Sequence, residues 1–249
     1  MFNLLPLKLL KTTAMNIVIT GASQGIGYAT AVELAKNGSH TIICISRDET
    51  KLKYLQDEIE RLSSNTTIIP MPFDLLKLTN TSDEPAASIS KLIGKVDILI
   101  NNAGLLHVKS FIDLTPNEIQ SMVMVNYLAP TLLIRQMLPY MNKGSHVVNI
   151  SSMGGFQGST KFPGLSVYAS SKAALASLTE NLAEEYKDLG ISFNCLALGA
   201  TDTEMFHQAF PGFNASQSAK GMANFIAYFA INGNKFFNGK ILPVSLSTP

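Results

Sequence analysis

Asn16-Ile-Val-Ile-Thr20 followed by Gly21-Ala-Ser-Gln-Gly25-Ile-Gly27 is the stretch that decides the fold. Its first half is a short apolar run rich in β-branched residues, the pattern of a strand buried on both faces. Its second half places three glycines where a chain leaving a strand must turn and open a helix. Gly21 allows a tight exit, Gly25 lets the main chain approach a pyrophosphate, and Gly27 lets the new helix pack close to the sheet. Ser23, Gln24 and Ile26 belong to the same loop. The free N–H groups and positive dipole end of a helix that starts there suit a phosphate. Three glycines could also serve a plain turn, but strand before and helix after favour dinucleotide binding.

Outward from this stretch the same unit repeats. Strand-like runs fall at Thr41–Ser46, Thr67–Phe73, Val96–Asn101, His146–Ser151, Ile191–Ala197 and Lys240–Val244. Pro243 in the last run marks an edge or a strand end. Helical stretches alternate with them at Ile26–Asn37, Glu49–Leu62, Pro116–Met141, Tyr168–Leu189 and Ser218–Ile231. The alternation predicts an α/β fold, a doubly wound Rossmann-type parallel sheet of about seven strands with helices on both faces. One domain over 15–249 accounts for the pattern. Residues 1–14 (MFNLLPLKLLKTTA) read as an N-terminal extension outside the core, and Lys8 and Lys11 interrupt the apolar region a secretory signal would need. Asn80–Ala87 reads as a polar loop or a helix start.

Composition narrows the function. The 249 residues are 46% hydrophobic and 15% charged, with a net charge of +1. Nucleic acid as a partner is excluded by the lack of a concentrated basic surface, and a membrane by the lack of an apolar run long enough to span one. Cys44 and Cys195 each lie in a strand-like run and read as buried reduced thiols, which implies an intracellular, cytoplasmic setting. The four histidines, at positions 40, 107, 146 and 207, have no metal-ligand spacing, so no metal is expected; His207 reads as a surface residue.

A chemical signal lies in Ser166–Leu178 (SVYASSKAALASL), where Tyr168 and Lys172 stand four apart on one helix face. A free tyrosine has a pKa of about 10, so acid–base work near neutrality requires roughly 4 kcal/mol of help for the phenolate. An ammonium at roughly 4–5 Å contributes about 3–4 kcal/mol at an effective dielectric of about 20. A second cation would complete the shift.

Thr20–Gly27, Asn101-Asn102-Ala103-Gly104, Asn126, Ser151-Ser152 and Tyr168-x-x-x-Lys172 stand in an order and strand context that resembles the short-chain dehydrogenase/reductase family. The resemblance is close from Met15 to about Thr203 and looser beyond. It implies an oxidoreductase that interconverts a ketone or aldehyde and an alcohol with a nicotinamide cofactor, Tyr168 acting as general acid/base. In that likeness Ser152 holds the carbonyl oxygen, Lys172 lowers the phenol pKa and holds the nicotinamide ribose, and oxidised nicotinamide is the second cation. Asn126 carries a water relay to Lys172, or else is a satisfied core amide. Asn102, Ala103 and Gly104 line the adenosine side. Ser46 and Arg47 imply NADP, with NAD possible if Arg47 is merely solvated and Asp48 takes the ribose hydroxyl. Asp48 also suits a helix N-cap. Asp74 resembles the adenine-binding aspartate, with a local turn cap as the alternative. Gly199 follows Leu198 where the family has proline, and Thr203 matches the residue that contacts the nicotinamide carboxamide.

Two segments bear on the substrate. Gly154–Leu165 makes the Ser152 to Tyr168 spacing, sixteen positions, longer than the family norm, and reads as a flexible loop with Phe156, Phe162 and Leu165 available to line a pocket. Met205, Phe206, Phe210, Pro211 and Phe213 form either a short core helix or a substrate wall. Both favour a hydrophobic carbonyl substrate. The family's usual final Asp-Gly-Gly is missing from the C-terminal segment. The slim helix face at Ala173, Ala174, Ala176 and Ser177, with the family habit of pairing this helix, implies a homodimer or homotetramer. The reading from another class is a dinucleotide-sensing regulator on the same fold, without turnover.

Overall fold

The computed structural model describes residues 14–62, 65–78 and 85–246. The N-terminal extension, save Ala14, and residues 80–84 of the polar loop lie outside the described residues. The strands are β1 (Asn16–Thr20), β2 (Thr41–Ser46), β3 (Thr67–Pro72), β4 (Ile98–Asn101), β5 (His146–Ser152), β6 (Ser192–Leu198), the two-residue β7 (Thr201–Asp202) and β8 (Gln217–Ser218), and β9 (Lys240–Val244). The helices are α1 (Gly25–Asn37), α2 (Glu49–Arg61), α3 (Ala86–Ile93), α4 (Pro116–Val123), α5 (Ala129–Met137), α6 (Ser166–Glu185), α7 (Glu204–Ala209) and α8 (Ala219–Asn232).

Seven strands form one sheet in the order β3-β2-β1-β4-β5-β6-β9, and β7 pairs β8 apart from it. Every pairing in the large sheet is parallel. The chain therefore winds outward from β1 to β3, then returns to lay β4 against the other side of β1. That reversal leaves a crevice at the carboxyl ends of β1 and β4, where α/β sheets bind their ligands. Pro243 sits on the outermost strand, where a missing N–H leaves no ladder bond unmade.

Apolar runs on these strands serve two cores at once. Ile17 and Ile19 point to one face with α1, α2 and α8, while Val18 points to the other with α3, α5 and α6. Each such side chain, fully withdrawn from water, stabilises the fold by about 1.5–3 kcal/mol. The two cysteines are free and buried, on β2 and β6, and burial pushes both thiols up to about 12. Inside the sheet the polar groups pair with one another: Asn101 donates to Asn149 at 2.8 Å and Asn149 to Thr179 at 2.9 Å. His146 donates from Nδ1 to the Ala230 carbonyl at 2.9 Å, which leaves Nε2 to accept from Asn194 at 3.0 Å.

Pro116–Met141, expected as one helix, is instead α4, a π-helical turn over Met124–Leu128, α5, and a 3-10 turn over Leu138–Tyr140. Pro130 has no N–H to give the carbonyl four residues back, so the ladder widens to a bond from Ala129 to Met124. The strand expected from Val96 begins at Ile98, because Val96 N–H goes to the Tyr140 carbonyl and Asp97 turns its carboxylate to the Asn16 N–H at 2.8 Å. α3 starts at Ala86, within Asn80–Ala87, so the helix-start alternative for that stretch is the one its described end follows.

Candidate active site

A single cleft of about 920 Å³ runs across the carboxyl ends of the strands. Its floor is backbone. Gly21 takes a φ of 68°, and a Cβ there would lie 2.8 Å from Ala103 Cα. A Cβ on Gly27 would lie 2.3 Å from the Gly21 carbonyl oxygen and 2.4 Å from Asn102 Nδ2. The close approach expected of Gly27 is thus to the loop and the β4 exit. Asn102 ties these pieces together, donating from Nδ2 to the Thr20 and Gly21 carbonyls at 3.0 and 3.2 Å. The Thr20 hydroxyl accepts from both Asn102 and Ala103 N–H at 3.1 Å. Thr20 was not among the expected site residues, although its place directly before Gly21 was the available signal.

At the β2 end, Ser46 donates to Ser23 at 2.7 Å, joining the strand to the glycine loop. Arg47 is exposed, lines the cleft and pairs with no carboxylate among the described residues. Asp48 accepts from the Lys51 N–H at 2.9 Å as the N-cap of α2. Lys51, unanticipated, lines the cleft and donates to Gln24 at 2.6 Å. Gln24 in turn donates to Glu204 of α7 at 3.4 Å, linking the nucleotide loop to the far wall. Lys51 was detectable as a second cation four positions after Arg47. Asp74 borders the cleft, but its carboxylate accepts from the Leu76 N–H at 3.1 Å, the local cap.

The expected chemical group converges. Ser152, Tyr168 and Lys172 all line the cleft, together with Ile26, Gly104, Gly199 and Thr203. Tyr168 lines the cleft beside Ser152, near enough for the serine hydroxyl to act on its ionisation, and the Ser152 hydroxyl accepts from Gly154 N–H at 3.2 Å. Ser151 faces away and donates to the Lys172 carbonyl at 2.9 Å, so Ser152 is the serine of the pair set beside the phenol. Lys172 is buried and donates to the Ile150 carbonyl at 2.8 Å. Asn126 is fully buried at the π turn; it accepts from Leu105 N–H at 2.7 Å and donates to the Leu105 carbonyl and Ser171 hydroxyl at 2.9 and 3.0 Å. Its amide is satisfied by the chain, as the core-amide alternative required. A Cβ on Gly104 would still lie 3.6 Å from Lys172 Nζ and 3.7 Å from Asn126 Oδ1, so the two share one corner.

One expectation needs correcting. Burial pushes the Tyr168 phenol above its ordinary value, and only the Ser152 hydrogen bond pulls it down. Burial also lowers Lys172 to about 8. The lysine that was to depress the tyrosine is itself pushed toward neutrality and directed at Ile150. A lowered phenol pKa is therefore not a property of these side chains by themselves.

The substrate end is walled by side chains. Phe162, Leu165, Met205, Phe206, Phe210 and Phe213 line it; Phe156 and Pro211 do not. Phe162 meets Phe210 edge-on with centroids 5.1 Å apart, and Phe206 lies 5.4 Å from Phe210. No residue of α7 is buried, so this segment is a wall and not a core helix. Thr203 caps it, accepting from Phe206 N–H at 3.2 Å. Gly199 donates its N–H to the Val244 carbonyl at 3.0 Å, tying the cleft to β9. The loop over 154–165, expected to be flexible, is cross-tied: Lys161 donates to the Gly154 and Phe156 carbonyls and the Ser159 hydroxyl at 2.9, 2.7 and 2.9 Å. His207 is exposed and pairs with Asp202 at 2.7 Å. Among the described residues no three His, Cys, Asp or Glu side chains are grouped to hold a metal ion, and no helix is long and apolar enough to cross a membrane.

A crevice at the switch point, with Gly21 and Gly25 on its lining and Gly27 packed behind them against the Gly21 carbonyl and Asn102, fits a dinucleotide and defines a Rossmann-type nucleotide site. The family model for short chain dehydrogenases matches residues 15–212, and the chain belongs to the short-chain dehydrogenase/reductase family, oxidoreductases that act on CH–OH and C=O groups with NAD(P). It is 33% identical over 240 residues to the 3-oxoacyl-(acyl-carrier-protein) reductase FabG of Rickettsia bellii, covering 92% of this chain and 94% of that protein. Among solved structures, a short chain dehydrogenase from Burkholderia cenocepacia in complex with NADP superposes with a TM-score of 0.80 at 26% identity, covering 92% of this chain and 95% of that one. A short chain dehydrogenase structure from Pseudomonas syringae gives 0.85 at 26% identity, covering 95% and 96%.

Proposed function

We propose that this protein is an NADP-dependent reductase of neutral, apolar ketones or aldehydes. The observation that carries the reading is the junction of Ser152 and Tyr168 in a cleft floored by the glycine loop and walled by Phe162, Phe206 and Phe210. Gly21, Ser23, Gln24, Gly25 and Ile26 would receive the pyrophosphate, with Gly27 letting α1 pack close behind them, and Asn102, Ala103 and Gly104 the adenosine side. Gly199 and Thr203 would border the nicotinamide. Bound NADPH supplies the hydride that reduces the carbonyl carbon. Ser152 donates a hydrogen bond to the carbonyl oxygen and orients it, and Tyr168 delivers the proton to the same oxygen. Burial keeps the phenol protonated near neutrality, which is the form reduction consumes. Lys172 holds the nicotinamide ribose and, with Asn126 beside it, returns the proton to Tyr168.

Preference for NADPH follows from Arg47, which has no carboxylate partner among the described residues and stands at the cleft edge beside Lys51 and Ser46, while Asp48 is engaged as a cap. A guanidinium there pairs with a 2′-phosphate, and the adjacent carboxylate, Asp48, has one oxygen committed to the α2 N-terminus. Asp74, used locally, would contribute at most an edge contact to adenine. The relative from Rickettsia bellii is a 3-oxoacyl reductase and the Burkholderia structure holds NADP, in keeping with this reading. Assembly as a homo-oligomer through α6 belongs to the same proposal; Ala173 and Ser177 are exposed on it.

The test follows NADPH consumption against a panel of carbonyls graded in size and charge, with NADH in parallel. Turnover of bulky neutral carbonyls with NADPH preferred is the expected result. An NADH preference refutes the cofactor assignment. Tight NADPH binding with no turnover on any carbonyl would make the protein a dinucleotide sensor.

A further inference from the structure

The loop between β5 and α6 is longer than the fold requires, and its one cation behaves unusually. An exposed lysine is ordinarily solvated, because ordering its long side chain has an entropic cost. Lys161 is exposed, yet it turns back on its own loop and pairs with no carboxylate among the described residues. Its three N–H donors go to Gly154 O at 2.9 Å, Phe156 O at 2.7 Å and Ser159 Oγ at 2.9 Å, the full donor capacity of an ammonium. Ser159 Oγ also lies within hydrogen-bonding distance of the Phe156 and Met153 carbonyls.

Two of these contacts reach the site. Gly154, whose carbonyl Lys161 holds, presents its N–H to the Ser152 hydroxyl at 3.2 Å. A hydroxyl that accepts there has its remaining directions fixed, and those are the ones it offers to Tyr168 and to a carbonyl oxygen. Phe162, the next residue after Lys161, forms the edge-on contact with Phe210 that joins the loop to the opposite wall. Gly155 presses the loop against α6: a Cβ there would lie 2.7 Å from Ala173 N and 2.9 Å from the Lys172 carbonyl carbon. The loop thus rests on the backbone of the catalytic helix, carries turn bonds of its own from Phe156, Ser159 and Leu165 N–H, and has one ammonium that ties Gly154, Phe156 and Ser159 together.

We propose that Lys161 is a positioning residue, its ammonium fixing the loop so that Gly154 orients the Ser152 hydroxyl and Phe162 closes the substrate end of the cleft. The effect on turnover rests on the carbonyl-reductase reading above; the effect on loop geometry does not.

Lys161→Met keeps the apolar stem and removes the charge, and Lys161→Arg keeps the charge. Crystal structures of wild type and Lys161→Met, with steady-state kinetics on the best carbonyl of the panel, give two readouts. The expected results are loss of the Gly154–Ser152 contact in Lys161→Met and a fall in kcat of about tenfold to a hundredfold, the scale of a small misplacement of a reacting group. NADPH affinity stays within twofold, and Lys161→Arg recovers part of kcat. A Gly154–Ser152 contact unchanged in Lys161→Met overturns the proposal, as does a kcat within twofold of wild type. If wild type reduces no carbonyl, the reductase reading fails while the crystallographic contact still decides the role of Lys161.

Discussion

The two ends of the cleft are built by opposite means. At the nucleotide end the surface is main chain, and the sequence contributes mostly by omitting side chains: Gly21 and Gly27 have no room for a Cβ. At the substrate end the surface is side chain, with Phe162 from the loop over 154–165 and Met205, Phe206 and Phe210 from the segment over 205–210, whose rings meet Phe162 through Phe210. The first arrangement tolerates no change and fits one shape of ligand. The second can be recut residue by residue. Substitutions should therefore be severe and general at the first end, graded and substrate-dependent at the second.

The sharpest way to break this contrast is Gly27→Ala. A methyl group would lie inside the contact distance of the Gly21 carbonyl and the Asn102 amide, and forced overpacking costs about 1–3 kcal/mol. NADPH binding, measured by fluorescence titration, should weaken by about a hundredfold, with a lower Tm. Unchanged binding would mean the glycine floor is not the nucleotide site.

Arg47→Ala should act at one point of the nucleotide only. A charge-assisted hydrogen bond contributes about 1.5–3 kcal/mol, so the Kd for NADPH should rise roughly tenfold to a hundredfold while that for NADH stays level. Equal losses for both would show that Arg47 supports the loop and does not read the phosphate. Phe210→Ala should leave both cofactors unaffected. It removes the ring that Phe162 and Phe206 pack against, and aromatic pairs contribute about 0.5–1.5 kcal/mol beyond buried area, so KM for a bulky apolar carbonyl should rise about tenfold. A small aldehyde should be nearly indifferent.

The smallest effect at neutral pH concerns the sheet beneath both ends. His146 is buried neutral, its pKa lowered by burial to about 4 against an ordinary 6.5. The unfolded chain binds that proton first, so stability is full above about pH 6.5 and falls as the pH drops toward 4. Between pH 7 and pH 5 the histidine alone should remove about 2 kcal/mol, seen as a lower urea midpoint. An NMR titration showing His146 protonating near its ordinary value would contradict this.

The difference between the two ends also explains what was legible in the sequence. The parallel sheet with helices on both faces and the glycine loop follow from strands buried on both faces and from glycines at fixed places, requirements that each short stretch carries by itself; the strand order depends on how the units pack together. Ser152, Tyr168 and Lys172 were likewise locatable, because helix spacing and strand ends put them at the crevice. The π turn was missed although Pro130 stood in the expected helix; what the sequence does not show is that the Asn126 amide at that turn bonds Leu105 and Ser171, far away in the chain. Lys161 was invisible because two of its three partners are main-chain carbonyls, which every residue has. The pKa relation between Lys172 and Tyr168 was not legible because spacing shows proximity and not burial, and in the chain alone burial raises the phenol and lowers the ammonium.

The most direct test of the account is Tyr168→Phe, assayed for NADPH-dependent reduction of the preferred carbonyl alongside NADPH binding. Loss of the proton donor should lower kcat by about a hundredfold to ten-thousandfold, with NADPH affinity within twofold of wild type. Reduction at the wild-type rate in Tyr168→Phe would contradict the account, because the proton would then be coming from elsewhere in the cleft.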